Sequence, residues 1–491
     1  VCQSLTNERS RISERLNQLS DPLFWVPFLF IVVLKLAIFH QATIQYLAHS
    51  YHYFFGMDFW VVEAFSDFKY YYLNFVNQFI AGYLPYTPEL WAPEGIQVYI
   101  YPPLFLYITT LFYFIPSECL FPDLWQLSIT GTDLHFARIG FSFVFFDIAT
   151  CVIIYVIAKR LTRNRALPFV AMLLYGLNPV ALWWGDYLWL STPIHTFFLI
   201  LGFYFIIRSD LYWAAFWVAI ATMIKQTAGL LLPVILFLEL ARGRKRLITS
   251  VGIMASVGVI LSMPYLILYP GEYINSIVRG MGSYWFWDEL PKMSYPIPVS
   301  VLAFYWPAPL KYIVFIAVFY GIPWGGFLAS FWACAWVIKQ KPSRNYQEQI
   351  VTLSLLLSLS MHIFWSRGIY KYYLITLLPF LILYAAVLSG PILPLPKTNL
   401  IQSAFSRKPL QHMPPWLPAR IEGTARMFQS VFNNRKTLWL FIVGVASISI
   451  YSVHRYLTHA ILLPLFICVL IFAWYQNAWK NRKKPSKMKD H

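Results

Sequence analysis

The sequence predicts an all-α polytopic membrane protein, and three observations predict it. Apolar side chains make up 59% of the 491 residues and charged ones only 12%, about half the ~25% of soluble domains. The apolar residues come in runs close to the ~20 that carry a helix across a bilayer. The basic residues lie in short clusters between those runs, and every large cluster can be placed on one side of a membrane. The net charge of +17 is then topological. A nucleic-acid role would need a basic, polar domain, and the sequence has none. Aromatics reach 19%, in keeping with many helix ends at the interface, where Tyr and Trp are favoured.

Taken in order, a polar, basic stretch (7–21) precedes the first run, and no small-residue cleavage site follows it promptly. The run therefore reads as a signal anchor that stays. The first span covers about 24–46, and Arg9, Arg11 and Arg15 place the N-terminus in the cytosol. The segment 104–114 is apolar but bracketed by Pro102, Pro103 and Pro116, and it is too short to span at ~1.5 Å per residue. Were it a span, the next helix, about 136–157, would leave Lys159, Arg160, Arg163 and Arg165 outside. It is read instead as an interfacial helix within one long outer loop, 48–134. Further spans follow at about 167–183, 193–207, 212–225, 227–240, 247–268, 309–338, 349–365, 372–391, 437–454 and 459–477. That makes about twelve transmembrane helices, a count resting on apolar length. The chain divides into a cytosolic N-terminus (1–23), a main transmembrane module (24–390), a cytosolic basic linker (391–436), a two-helix addition (437–477) and a basic cytosolic tail (478–491).

The segment 58–104 stands apart, dense in acids, tyrosines and prolines between apolar runs. Ser66 is the expected N-cap of a helix running to about Ala81, with Gly82 closing it and Tyr70, Phe75 and Phe79 along one side. Asp67 then lies in the first turn, where the helix dipole keeps a carboxylate ionised, as a general base requires. Asp58 is the other candidate. Tyr101-Pro102-Pro103-Leu104 opens the short apolar helix, with proline suited to a first turn. On the basic side, Arg367 and Lys371 stand four apart in an outer turn, Arg138 opens a span, and Lys225 interrupts an apolar segment. A charge inside an apolar segment costs ~2.5–3.5 kcal/mol on insertion scales, which favours a paired or functional lysine. Asp147 lies mid-span and calls for a buried basic partner. His195 and His362 read as core residues. Trp285, Trp287, Asp288 and Glu289 form an aromatic–acidic group in the outer loop expected at 269–298.

The order of these motifs resembles the GT-C superfamily, the multi-span glycosyltransferases that use polyprenyl-phosphate sugars. The string S-D-F-K-Y-Y-Y, then G-Y-L-P-Y, then Y-I-Y-P-P-L is similar in layout to the first outer loop of GPI mannosyltransferase I and its bacterial and archaeal relatives. Arg138, Asn178-Pro179, Lys225-Gln226-Thr227 before Leu232-Pro233, and Arg367 to Tyr373 before Pro379 follow in the same order. Together they cover about 24–390. Lys69 stands where the GPI enzyme has the second acid of an Asp-x-Asp pair, so no metal ligand set is assigned and a divalent cation is left open as the cofactor. Relatives often carry a Gly-Gln-x-Asp-like run after Asn-Pro, whereas here it is Trp184-Gly185-Asp186-Tyr187.

The resemblance implies an integral-membrane hexosyltransferase acting on the outer or lumenal face. It would move mannose or glucose from a polyprenyl- or dolichyl-phosphate donor to a lipid-linked glycan or other glycolipid acceptor. Asp67, with Asp58 as runner-up, would take the acceptor proton, and the hydroxyl would attack C1 with inversion. A departing lipid phosphate needs cations on that face: Arg367, Lys371, Arg138 and Lys225. Tyr101, Trp184, Asp186, Gln226 and Tyr372 would bind substrate. The alternative is a polytopic transporter or lipid flippase. Against it stand the long first outer loop, few mid-span charges and the lack of an internal repeat.

Overall fold

The computed structural model describes residues 22–48, 65, 67–86, 99–162, 164–278, 346–364 and 373–388. Every element among them is helical. Asp58, Arg367, Lys371, Tyr372, His362's side chain, the group 285–289 and the expected spans at 309–338, 437–454 and 459–477 lie outside that description.

α1 (Pro22–Leu47) is the first expected span. The outer segment then supplies α2 (Asn74–Ile80), entered through a π turn, Phe68–Leu73. α3 is Pro103–Tyr113, with Pro102 extended and Pro103 at the first helical position, the one place where a missing N–H costs nothing. A 3-10 turn (Ser117–Leu120) and α4 (Pro122–Ile129) follow. α5 (His135–Leu161) has 27 residues, or ~40 Å at 1.5 Å per residue. It is the central helix and packs against α1, α3 and the helices that follow. Beyond it come α6 (Leu167–Gly176), α7 (Thr192–Ile207), α8 (Leu211–Thr222), α9 (Leu232–Arg242), α10 (Arg244–Leu268), α11 (Pro270–Val278), α12 (Tyr346–Phe364) and α13 (Leu374–Leu388).

Three of these helices, α1, α5 and α10, are long and apolar enough to cross a membrane, four with one bent pair, among the described residues. Several expected spans are shorter or broken. The run 167–183 is that bent pair: α6 turns by 58° into a π turn, Ala181–Tyr187. Pro179 supplies no N–H to continue the ladder, and the Asn178 Oδ1 accepts the Val180 N–H at 2.9 Å instead. The run 212–225 shrinks to the 12 residues of α8. The run 227–240 opens as a 3-10 turn, Gln226–Leu231, before α9.

Two apolar clusters make up the interior. One joins the first part of α1, the second half of α5, α6, α7, α8, α9, α12 and α13, around Ile31, Ile154, Met172, Phe203 and Phe380. The other joins the later part of α1, the first half of α5, α2, α3 and the segment 182–190, around Phe39, Tyr72, Phe143 and Trp189. α10 packs only lightly: 11% of its apolar window is buried. Ile248, Val259, Ile260, Met263 and Ile267 stay exposed on it, a face suited to lipid.

Candidate active site

The break between α8 and α9 builds the site. α8 ends at Thr222, and Lys225 is extended, at φ −152° and ψ 127°. Irregular backbone at this depth must find partners, and the Tyr-x-Pro-Pro segment provides them. The Leu104 N–H donates to the Met223 carbonyl at 3.2 Å, and the Gln226 side-chain amide donates to the Ile100 carbonyl at 2.9 Å. Gln226 thus clamps the segment that carries Tyr101.

The same break drives the Lys225 side chain inward, where it is 2% exposed. Its ammonium donates to the Ser191 hydroxyl at 3.3 Å and lies 4.0 Å from the Tyr373 ring centre and 5.6 Å from that of Tyr101. Aromatic faces stabilise a desolvated cation by up to ~2 kcal/mol. Tyr72 donates to the same Ser191 oxygen at 3.1 Å. Burial first, then Tyr101 and the Asp67 carboxylate, push the Tyr72 phenol well above its ordinary value, so it stays protonated and donates. Tyr72, Ser191 and Lys225 are therefore joined by hydrogen bonds across three separate elements, and Asp67 lies on the same turn as Tyr72.

The π turn starts directly after Asp67, which is itself helical and half-buried; Ser66, the expected cap, lies outside the described residues. Gly82 closes the far end at φ +91°, a conformation glycine adopts freely. The register between them differs from the expected one. Phe68, Tyr72, Phe75 and Val76 are buried, while Tyr70 is exposed. The i→i+5 bonding of a π turn adds a residue to the turn, which moves Tyr70 outward and sets Tyr72 on the side of Asp67. Lys69, in place of a second acid, is exposed beside the Tyr70 ring.

Two residues at positive φ hold this arrangement. Phe65 (φ 63°) precedes Asp67 by two positions, and Trp189 (φ 53°) precedes Ser191 by two. Their rings pack 5.2 Å apart. Trp189 also meets Phe68 at 5.0 Å and Phe39 at 5.8 Å. Bulky side chains at positive φ cost of order 1–3 kcal/mol each and persist where packing over-determines them. Here the packed pair fixes the backbone two residues ahead of Asp67 and of Ser191.

The remaining expected site residues sit elsewhere. Arg138 grips Glu118 with Nε–Oε2 at 3.0 Å and Nη2–Oε1 at 2.5 Å, and it contacts the His135 ring at 3.2 Å. It anchors the 114–134 loop to α5 in place of a phosphate. Asp186 is fully buried against Lys35 of α1 at 2.5 Å, and Asp147 pairs with the same lysine. Asp147 thus has its buried basic partner. Trp184 lies at the seam of the two apolar clusters. His195 is a core residue, its Nε2 3.0 Å from the Thr376 hydroxyl. Among the described residues no group of three His, Cys, Asp or Glu side chains converges as a metal site would require.

Sequence reasoning missed Ser191, Tyr72, Trp189 and Lys35. A lysine inside the first apolar run is the same signal that singled out Lys225. Ser191 carries no such signal, since a serine ahead of Thr-Pro reads only as a helix start.

The fold and site define a helical protein with helices of membrane-crossing length and a buried lysine–serine–tyrosine cluster beside a helix-start carboxylate. Compared with known proteins, the chain matches no family model and no curated sequence.

Proposed function

We propose that the chain is a multi-pass membrane glycosyltransferase of GT-C type with about twelve spans, its active site on the outer or lumenal face. It moves a hexose, mannose or glucose, from a polyprenyl- or dolichyl-phosphate to a glycan or glycolipid acceptor. One observation carries the reading: Asp67 lies on the same turn as Tyr72, whose hydroxyl shares Ser191 with the buried ammonium of Lys225. Inverting transfer needs an acid and a cation on one substrate, the acid taking the acceptor proton while the cation steadies the leaving phosphate. The hydroxyl oxygen bonds to C1, the C1–phosphate oxygen bond breaks, and the electron pair leaves with the lipid phosphate. Tyr373, whose ring lies 4.0 Å from the Lys225 ammonium, adds an aromatic face to the same cluster.

The test is purified full-length protein in vesicles with radiolabelled polyprenyl-phosphate mannose or glucose and a lipid-extract acceptor, following release of polyprenyl phosphate. Asp67→Asn should lower turnover by at least ~10²-fold, the usual share of a general base, with an unchanged circular dichroism spectrum. Near-normal turnover in that variant would move the assignment to Asp58. The second reading, a transporter or flippase, is favoured by the charges of Lys35, Asp147 and Asp186 buried between spans. It predicts no polyprenyl phosphate release from either donor.

A further inference from the structure

Lys35, Asp147 and Asp186 meet where the two apolar clusters meet. On α1, Ile31 belongs to one cluster and Ile38 to the other; on α5, Cys151 and Phe146 divide in the same way. All three charged side chains are 0% exposed. Two carboxylates face one ammonium, so with every group ionised the seam would carry one net negative charge. An uncompensated charge in a dry interior costs several kcal/mol even after relaxation, and such a group neutralises instead.

The hydrogen bonds distinguish the two carboxylates. Asp147 uses both oxygens: Oδ2 takes Lys35, and Oδ1 takes the Tyr175 hydroxyl at 2.6 Å. Asp186 uses only Oδ2, on Lys35. Its Oδ1 is buried with no hydrogen-bond partner among the described residues. Around the triad the other titratable groups are Tyr175 and Cys151, the latter with its thiol on the Asp147 carbonyl at 3.4 Å. Of the elements packed on the remaining sides, α7 carries the buried His195, whose Nε2 lies 3.0 Å from the Thr376 hydroxyl of α13. Next to Asp186, a Cβ on Gly185 would meet Pro193 of α7 at 3.1 Å and Ile375 of α13 at 3.6 Å.

We infer that the triad is a proton-binding site, with Asp186 held as a neutral carboxylic acid and Asp147 ionised between Lys35 and Tyr175. The proton makes the seam neutral: one ammonium, one carboxylate, one acid. Asp186 belongs to the same short segment as Trp189 and Ser191. The inference does not depend on the transfer reaction.

Infrared spectroscopy of the purified full chain in lipid vesicles tests it, reading the C=O stretch of protonated carboxylic acids, identified by its shift in deuterated water. Charge counting gives an unusual pattern. Asp186→Asn, neutral and of the same shape, should remove one acid band. Asp147→Asn should remove the same band, because Lys35 and Asp186 then balance and Asp186 ionises. Lys35→Met should add a band, since two acids remain with no base. If Lys35→Met fails to fold, the two asparagine variants still decide. A band that survives in Asp186→Asn or in Asp147→Asn overturns the inference. So does loss of the wild-type band on adding sodium or calcium salts at constant pH, which would mean that a cation, not a proton, balances the site.

Discussion

Ser191 is a hydroxyl asked to accept from two donors at once, the Lys225 ammonium and the Tyr72 phenol. Its two lone pairs suffice. Removing it takes one acceptor from each of two buried donors, whereas removing Tyr72's hydroxyl leaves the Lys225–Ser191 contact in place. Ser191→Ala should therefore destabilise more than Tyr72→Phe: a buried donor left unpaired costs ~1–3 kcal/mol, against ~1 kcal/mol for a hydrogen bond deleted with its donor. In the double variant the Tyr72→Phe change should cost nothing further, since the alanine has already emptied its partner. Thermal unfolding of the four proteins in one detergent checks the cycle, and full additivity would contradict the shared-serine geometry. For Lys225, Gln removes the charge and Arg keeps it with a wider, planar fork. If Lys225 steadies a leaving phosphate, Lys225→Gln should lower turnover by ~10²–10³-fold, the usual loss on removing one such donor. Lys225→Arg should not restore it, because the space between Tyr373 and Tyr101 is built for a point charge.

At the scale of elements, close packing replaces hydrogen bonding as the deciding term. Gly140 of α5 faces the Trp189 ring, and a Cβ there would lie 2.6 Å from it. Gly140→Ala should cost ~1–3 kcal/mol, the usual penalty for overpacking, and should weaken the candidate reaction too, since Trp189 positions Ser191. A parallel Gly252→Ala on α10, where a Cβ meets nothing within 4 Å among the described residues, is the control and should unfold no lower than the wild type, since alanine is the better helix former. The 114–134 loop answers to pH. Burial acts to raise the Glu118 carboxyl, but the Arg138 hydrogen bonds outweigh it and hold the group below its ordinary value. A carboxylate depressed on folding stabilises above its unfolded value, ~4.3, and that contribution is lost as pH falls through the lower folded value. The wild-type unfolding temperature should thus drop on acidification below about pH 4, and Glu118→Gln should start lower and flatten that part of the profile. These elements also show what was legible beforehand. Helix starts and stops were: Pro103 and Gly82 act through backbone geometry that their own residue types dictate. The buried face of 67–80 was not, because an α-helical period assigns Tyr70 inward and the π turn puts Tyr72 there. Lys225 was legible as a costly charge, yet its partners were not, since Ser191 and Tyr373 come from far along the chain.

For the whole molecule, α5 sets the frame. Its first turn lies beside the Glu118 loop and its last turn carries Lys159 and Arg160. At ~40 Å it exceeds the ~30 Å hydrocarbon core, so the two ends must meet opposite surfaces if the helix crosses. The basic groups at 159–165 and 242–246 share the same side on the expected topology, and the positive-inside rule makes that side cytosolic. On the proposed topology the candidate site, built from α2, α3 and the break at Lys225, faces outward with the Glu118 loop. Cys119 offers a direct check, being an exposed free thiol on that loop. In a variant whose other cysteines are changed to serine or alanine, a membrane-impermeant maleimide added to intact cells should label Cys119. With Cys119 also removed and cysteine placed at Asn164, labelling should require permeabilised cells. The reverse pattern would put the acid and lysine on the cytosolic face, where a nucleotide-sugar would be within reach and a lipid-phosphate donor presented from outside would not. Equal labelling of both positions in intact cells would mean that α5 does not cross, and the lipid-facing reading of α10 would fall with it.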